Sequence, residues 1–391
     1  MYAQQVRRIS GTNYHEAIVD VESMTAHTEL RARYAPDIRP GRNRRSSMIR
    51  LRYETKGQSG MREGAWYDLP VDIWDGARYR DVAPAEAGST FLRAVLEGQN
   101  RTIHFPSFRT PQNYAVLTPT ESPLAFSSMS KTPSPIRLDV VDCGHGNWNQ
   151  VYFDDAILIY DTGACQSFSA KQVRALVRGR QITKESLPVY IVISHWDVDH
   201  YQALQRFTRK ELQKIACVYV PSQVPNTATY KSIKALLDSE NVSIKALAPA
   251  GKTKPGRTIE LVHIASPGHI RVFRASAGQS RNQTGIALGI VGAGKNALLT
   301  GDHHYPKLLD VTHHLSRTNP LVLVTPHHGG CAGALDVQAW LKAFSAIEAP
   351  ISCGTNSWNH PFPRIVNQLS LMQGNIPPPL TKILGTQTFW L

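Results

Sequence analysis

The sequence has no cysteine framework. Its five cysteines, Cys143, Cys165, Cys217, Cys331 and Cys353, are odd in number, scattered, and form no Cys-x-x-Cys pair. That argues against a disulfide scaffold or a zinc ribbon and fits a reducing compartment, where a thiol is usually a small buried apolar group. Long apolar runs are missing too. None reaches the length of about 18 residues that a membrane span needs, and residues 1–11 carry no apolar core of a secretory signal. A cytoplasmic protein without membrane association is the expectation. Charged residues are somewhat sparse at 19%, and the hydrophobic fraction of 42% is that of a globular chain, which argues against disorder. No repeat-protein period is visible.

What is present in excess is positive charge. The formal net charge is +13 and the pI about 9.6, a balance that favours polyanions such as nucleic acid, phosphorylated ligands or acidic membrane surfaces, although many soluble proteins are basic for no specific reason. Part of it lies in Arg39, Arg42, Arg44, Arg45, Arg50 and Arg52, around a Pro-Gly turn. A solvated basic loop beside a strand is the plainer reading, and a phosphate-contacting loop the alternative. The 391 residues suit two domains. Residues 117–135 (LTPTESPLAFSSMSKTPSP) are dominated by Pro, Ser and Thr and cannot form the interior of a regular element. A border near residue 130 separates a β-containing module of unknown role, residues 1–130, from residues 131–391. In the first module residues 47–55 alternate apolar and polar, predicting a half-buried strand. Trp66, Tyr67, Trp74 and Tyr79 are either core or surfaces on which bases stack.

The second module is more legible. Residues 136–141 predict a short strand that ends in Asp142-Cys143-Gly144-His145-Gly146-Asn147. Residues 151–153 and 157–160 predict a hairpin closing on Asp161-Thr162-Gly163, and residues 169–178 have helical spacing. The β-branched run at 189–193 predicts a strand covered on both faces. Residues 286–291, 297–300 and 321–324 predict further buried strands. Strands separated by helices and by other strands imply layered α/β packing.

The densest chemistry is His195-Trp196-Asp197-Val198-Asp199-His200, which a strand delivers into a turn. Four metal-capable side chains fall within six positions, more than one ion uses easily, so two ions share the loop: His195 and Asp197 for one, Asp199 and His200 for the other. Imidazole and carboxylate suit Zn²⁺, and also Mn²⁺ or Fe. Two further strand ends supply ligand types. Leu298-Leu299-Thr300-Gly301-Asp302 offers a carboxylate to bridge ions about 3.5–4 Å apart. Thr325-Pro326-His327-His328-Gly329 offers imidazoles; His327, first after the strand, is taken as the ligand with His328 beside it. Any one segment could be a hydrogen-bonded turn, an explanation strained by three of them.

This set resembles the metallo-β-lactamase superfamily, and within it the hydrolase domain of ComEC-type DNA-uptake proteins and their stand-alone relatives. The resemblance spans roughly residues 136–365 and is carried by Asp142–Asn147 as the opening turn, Asp161-Thr162-Gly163, Ser194 with the metal loop, Leu298 to Asp302, His327-His328-Gly329 and the late His360-Pro361. Asn282-Gln283-Thr284 also has a counterpart in the family. It implies an α/β fold, the αββα sandwich, with metals at one edge between two sheets. It implies that Asp161 orients the metal loop by hydrogen bonds without touching metal. The chain departs from the pattern at His145 and Asn147, at Tyr201-Gln202, and at Asp197, where the family more often has His. The third histidine that many members give the first ion has only an offset counterpart, His269. The first ion is therefore expected to be weakly held or absent, and the second, with Asp199, His200, Asp302 and His327, better supplied.

The expected function is hydrolysis by a metal-activated water, using two divalent ions, Zn or Mn. Asp199 is the expected proton acceptor, and His360 a general acid or phosphate ligand at the rim. Asn282 either binds a substrate oxygen, orients Asp302 or caps a turn. Net charge and motif style favour phosphodiester bonds of nucleic acid or nucleotides. A small ester, lactone or thioester is the alternative substrate, and a weakly catalytic metal-binding interaction module the alternative class.

Overall fold

The computed structural model describes residues 1–8, 12–34, 48–54, 61–62, 64–69, 78–79, 92–96, 109–110, 114–120, 135–166, 168–184, 186–251, 259–278, 280–356 and 359–391. The arginines at 39, 42, 44 and 45, Trp74, Trp358 and the expected border near residue 130 lie outside the described residues. Two compact units emerge. One comprises Met1–Val116, Gln166–Ala175 and Gln223–Ser239, the other Leu117–Cys165, Leu176–Ser222 and Glu240–Leu391.

Among the described residues, the first unit is built on a seven-stranded, mostly antiparallel sheet. Its strands are β1 (Tyr2–Arg8), β2 (Tyr14–Asp20), β3 (Met48–Glu54), β4 (Trp66–Tyr67), β5 (Arg78–Tyr79), β6 (Leu92–Leu96) and β7 (Arg109–Thr110), in the order β5-β6-β3-β2-β1-β4-β7. The predicted half-buried strand is β3. Its alternate residues Ile49, Leu51 and Tyr53 enter a core with Ala17, Val19 and Tyr67, as period-2 geometry requires. Trp66 and Tyr67 are buried, so both serve the interior and present no face for stacking. A short strand, β8 (Tyr114–Val116), pairs with Gln223–Pro225.

Among the described residues, the second unit contains two sheets. One holds β9 (Arg137–Val140), β10 (Asn149–Tyr152), β11 (Ile157–Tyr160), β12 (Val189–Val192), β13 (Ile215–Pro221), the strand Ser243–Leu247 and the C-terminal strand Gln387–Trp390. The β10–β11 pairing is the predicted hairpin, Asn149 opposite Tyr160, whereas β11, β12 and β13 run parallel. The other sheet has six strands, from Leu261–Ala265 and Ile270–Ala275 through Ile286–Val291 and Asn296–Leu299 to Leu321–Leu323 and Ile347–Glu348.

Side-chain alternation shows how the sheets stack. Leu138, Val140, Leu158, Tyr160, Tyr190 and Val192 from the first sheet share one core with Ile286, Leu288, Ile290, Leu299, Val322 and Val324 from the second. The intervening Ala287, Leu298, Leu321 and Leu323 face the other way, into a core with Tyr305, Leu308, Trp340, Ile365 and Leu369 of three helices. On the first sheet Ile157, Ile159, Ile191 and Val218 are buried on the opposite face as well. Parallel strands need crossovers that lie on a face. Since the inner face is filled by the second sheet, the turns Val198–Tyr201, Gln202–Arg206 and Arg209–Leu212 between β12 and β13 run on the outer one. The result is the αββα sandwich that the resemblance implies. All five cysteines are free, and among the described residues no helix is long and apolar enough to cross a membrane.

Candidate metal centre

The chemistry-bearing segments leave their strands at one edge of this sandwich, where the sheets meet. Beyond β12, the Ser194 carbonyl accepts from the Ile286 N–H at 2.9 Å, tying the first sheet to the start of a strand in the second. Beyond Asn296–Leu299, the Gly301 carbonyl accepts from the His327 N–H at 3.1 Å. Three turns of the first sheet are stitched by backbone. The Asn147 N–H donates to the Asp199 carbonyl (2.9 Å), the Thr162 N–H to the His200 carbonyl (2.7 Å) and the Gly163 N–H to the Asn147 carbonyl (2.8 Å). Glycine is required at 163, because a Cβ there would lie 1.8 Å from the Asp199 carbonyl oxygen.

Asp161 holds the loop together from beneath. Its Oδ1 accepts the Ser194 N–H at 2.6 Å. Its Oδ2 accepts from Asn147 Nδ2 (2.7 Å), Ser194 Oγ (2.8 Å) and His200 Nδ1 (2.8 Å). With both oxygens occupied, the carboxylate has the orienting position that the resemblance implies. The His200 Nδ1–H donates to Asp161, so the ring's Nε2 lone pair faces the site. The same device recurs at His328, whose Nδ1–H donates to the Ser352 carbonyl at 2.9 Å.

Two groups of buried donors result, His195, His200 and Asp302, and His145, Asp199 and His328, with ligand atoms in each group within 4.8 Å of one another. His200 Nε2 is 3.2 Å from Asp302 Oδ1, His195 Nε2 is 3.7 Å from Asp302 Oδ2, and His328 Nε2 is 3.3 Å from Asp199 Oδ2. Around a tetrahedral zinc with bonds of about 2.0–2.1 Å, neighbouring ligand atoms lie about 3.4 Å apart. His195 Nε2, His200 Nε2, His328 Nε2 and Asp302 Oδ1 are buried and face only the other groups of the cluster, an arrangement that an ion between them would satisfy. Donor type, spacing and burial all fit divalent ions. The charges agree. Burial drives the Asp199 and Asp302 carboxyls up, but the surrounding imidazoles outweigh it and leave both below the ordinary carboxylate range. Burial lowers His200, and the carboxylates of Asp302 and Asp161 override it and raise the imidazole well above its ordinary value. The cluster demands positive charge, which either protons or metal can supply.

The expected ligand sets are regrouped. Asp197 stays beside His195, its Oδ2 3.4 Å from His195 Nε2, while its Oδ1 is taken by Arg281 in a buried ion pair, and it falls outside both buried groups. His328, not His327, has the enclosed position. Both residues adopt left-handed backbone, φ 51° and 53°, which turns the second ring inward and leaves His327 partly exposed, its Nε2 3.7 Å from Asp302 Oδ2. His360 stands at the rim, its ring 5.1 Å from that of His327 and 5.6 Å from that of His145. Burial, then the neighbouring imidazoles of His327 and His328, lower it to about 3. Asn282 Nδ2 points to Asp302 Oδ2 at 3.4 Å. His269 is not at the site. Its Nδ1–H donates to the Val291 carbonyl, at the far end of the strand whose start meets Ser194. Its ring stacks on Phe153, so no third histidine reaches His195 from that loop.

Two residues of the centre carry no expectation from sequence, His145 and Arg281. His145 was legible by the rule that found the others, since it too follows a strand end. Arg281 was not, because an arginine in a turn announces nothing until its partner is known.

No family model matches the sequence, and no curated protein matches it. Among solved structures, the metallo-β-lactamase fold protein YhfI from Bacillus subtilis is similar over 66% of this chain and 100% of its own, with 12% identity and a TM-score of 0.40. Zn²⁺-bound PqqB from Methylobacterium extorquens is similar over 66% and 100%, with 10% identity and a TM-score of 0.36. The short form of human tRNase Z is similar over 56% and 93%, with 11% identity and a TM-score of 0.34.

Proposed function

We propose that this chain, an αββα protein of the metallo-β-lactamase fold, is a metal-dependent hydrolase of phosphodiester bonds in nucleic acid or nucleotides. The observation that carries the reading is the convergence of buried imidazole nitrogens and carboxylate oxygens, in two groups of three, at the sheet edge. His195, His200 and Asp302 on one side, and His145, Asp199 and His328 on the other, are the residues that would hold divalent ions. Bound there, such ions supply Lewis acidity and bring the pKa of water down to about 7.

The protein's own part is orientation and charge. Asp161 fixes the loop and the tautomer of His200. Asp199 lies against His328, whose imidazole and those of His200 and His145 keep it below the ordinary carboxylate range, which suits a ligand. His360, lowered to about 3, is neutral at neutral pH. It presents a hydrogen bond to a substrate or leaving oxygen and has no proton of its own to spare. His327, His360 and Asn282 form a polar rim, and the net charge of +13 favours an anionic substrate. Both features support phosphodiesters over neutral esters.

The test is turnover of single-stranded DNA, RNA and bis(p-nitrophenyl) phosphate with added Mn²⁺ or Zn²⁺, beside p-nitrophenyl acetate and a lactone. Phosphodiester cleavage that disappears in the Asp199→Ala, His200→Ala double variant is expected. Turnover of the ester or lactone alone would move the substrate class, and metal binding without turnover of any substrate would leave a binding module.

A further inference from the structure

We infer that the two halves of the metal cluster are unequal because the chain supplies its own cation to one of them: Arg281 occupies one oxygen of Asp197, and its charge weakens ion binding at His195, His200 and Asp302. This rests on the metal-centre reading above. The Arg281 side chain is 8% exposed, and its Nε pairs with Asp197 Oδ1. The other oxygen of the same carboxylate is 3.4 Å from His195 Nε2. A fixed positive charge therefore sits one carboxylate away from this half. Asp199, in the other half, is acted on by the imidazoles of His328, His200 and His145.

The arginine is deliberately placed. It opens the turn Arg281–Gln283, just before the strand Ile286–Val291. The buried Arg274 donates to the carbonyls of Thr284 and Gly285 and, at 3.2 Å, to that of Leu247, and Lys307 donates to Gln283 Oε1. The next residue, Asn282, points at Asp302. One braced turn thus brings both a guanidinium and an amide to the same half. The charges point the same way. The buried carboxylates of Asp161, Asp197, Asp199 and Asp302 carry four negative charges, against three positive from one divalent ion together with the guanidinium. A second divalent ion turns the balance positive in a low-dielectric setting, and it does so because the guanidinium is already there. Arg281 is a positioning and charge-setting residue, and its consequence is one firmly held ion at His145, Asp199 and His328 and one exchangeable ion at the other half.

The experiment is a stepwise Zn²⁺ titration of the metal-stripped full chain by calorimetry, with a chromophoric chelator as competitor. The wild type should show two steps whose dissociation constants differ by about a hundredfold or more. Arg281→Gln should tighten the second step by about tenfold or more and leave the first within about threefold. Arg281→Lys, which keeps the charge, should keep the separation. Two equal steps in the wild type overturn the inference. So does a folded Arg281→Gln chain, judged by circular dichroism, whose second step is unchanged. If Arg281→Gln does not fold, the wild-type separation and the Arg281→Lys titration decide. No tight Zn²⁺ binding at all refutes the metal-centre reading itself, a distinguishable result.

Discussion

Asp161→Asn is the substitution whose outcome the geometry specifies most fully. Asp161 lies at φ 61°, a left-handed conformation that asparagine tolerates, and the side chains are isosteric, so neither backbone nor volume is disturbed. Of the four hydrogen bonds, only the Ser194 N–H to Oδ1 bond survives with the amide oxygen in that position. The amide nitrogen then replaces Oδ2 and faces Asn147 Nδ2, Ser194 Oγ and His200 Nδ1. The hydroxyl can rotate to accept. His200 can adapt only by moving its proton from Nδ1 to Nε2, the atom 3.2 Å from Asp302 Oδ1, which removes the lone pair a metal would use. Loss of such an outer hydrogen bond weakens metal by about 10–100-fold, or about 1.4–2.7 kcal/mol. The stranded Asn147 amide should lower folding stability by about 1–3 kcal/mol. Chelator competition measures the first effect and urea unfolding of the metal-free protein the second. An Asn variant that binds Zn²⁺ as tightly as the wild type would refute the claim that Asp161 sets the His200 tautomer.

Gly163→Ala drives a Cβ into the Asp199 carbonyl. It should destabilise the fold by about 3 kcal/mol or more and weaken metal binding with it, read by urea unfolding and the same competition assay. His269→Ala should lower stability by about 1 kcal/mol through the lost Val291 bond and leave metal affinity unchanged; a tenfold loss would put the residue back at the centre. Burial holds the Lys307 ammonium at about 8 against an ordinary 10.5. The folded chain releases this proton before the unfolded chain does, so the lysine's contribution to stability rises as pH climbs from about 8 to about 10.5. Comparing thermal melts of wild type and Lys307→Met across that range isolates the effect, and parallel profiles would contradict it.

The legible parts of this protein are those in which local pattern and tertiary role coincide. The run at 189–193 reads as a strand covered on both faces because both faces of β12 are buried, and the ligand-type residues directly after β12, Asn296–Leu299 and Leu321–Leu323 read as a site because strand ends converge at a sandwich edge. The partition of ligands was not legible, since adjacency in sequence says little about which way a turn points each ring. His327 and His328 exchange roles through two left-handed residues. His269, the offset counterpart of a third histidine, lies a strand's length from Ser194. Arg281 gains meaning only from Asp197, more than eighty residues earlier in the chain. Trp66 and Tyr67, ambiguous as aromatics, are settled by burial.

The decisive measurement is a crystal of the full chain soaked in Zn²⁺, with diffraction data collected on both sides of the zinc absorption edge. An anomalous peak about 2.0–2.1 Å from His328 Nε2 or His200 Nε2, with Asp199 or Asp302 as a further ligand, is the predicted result. Ordered water at those nitrogens and no anomalous signal at the sheet edge would contradict it.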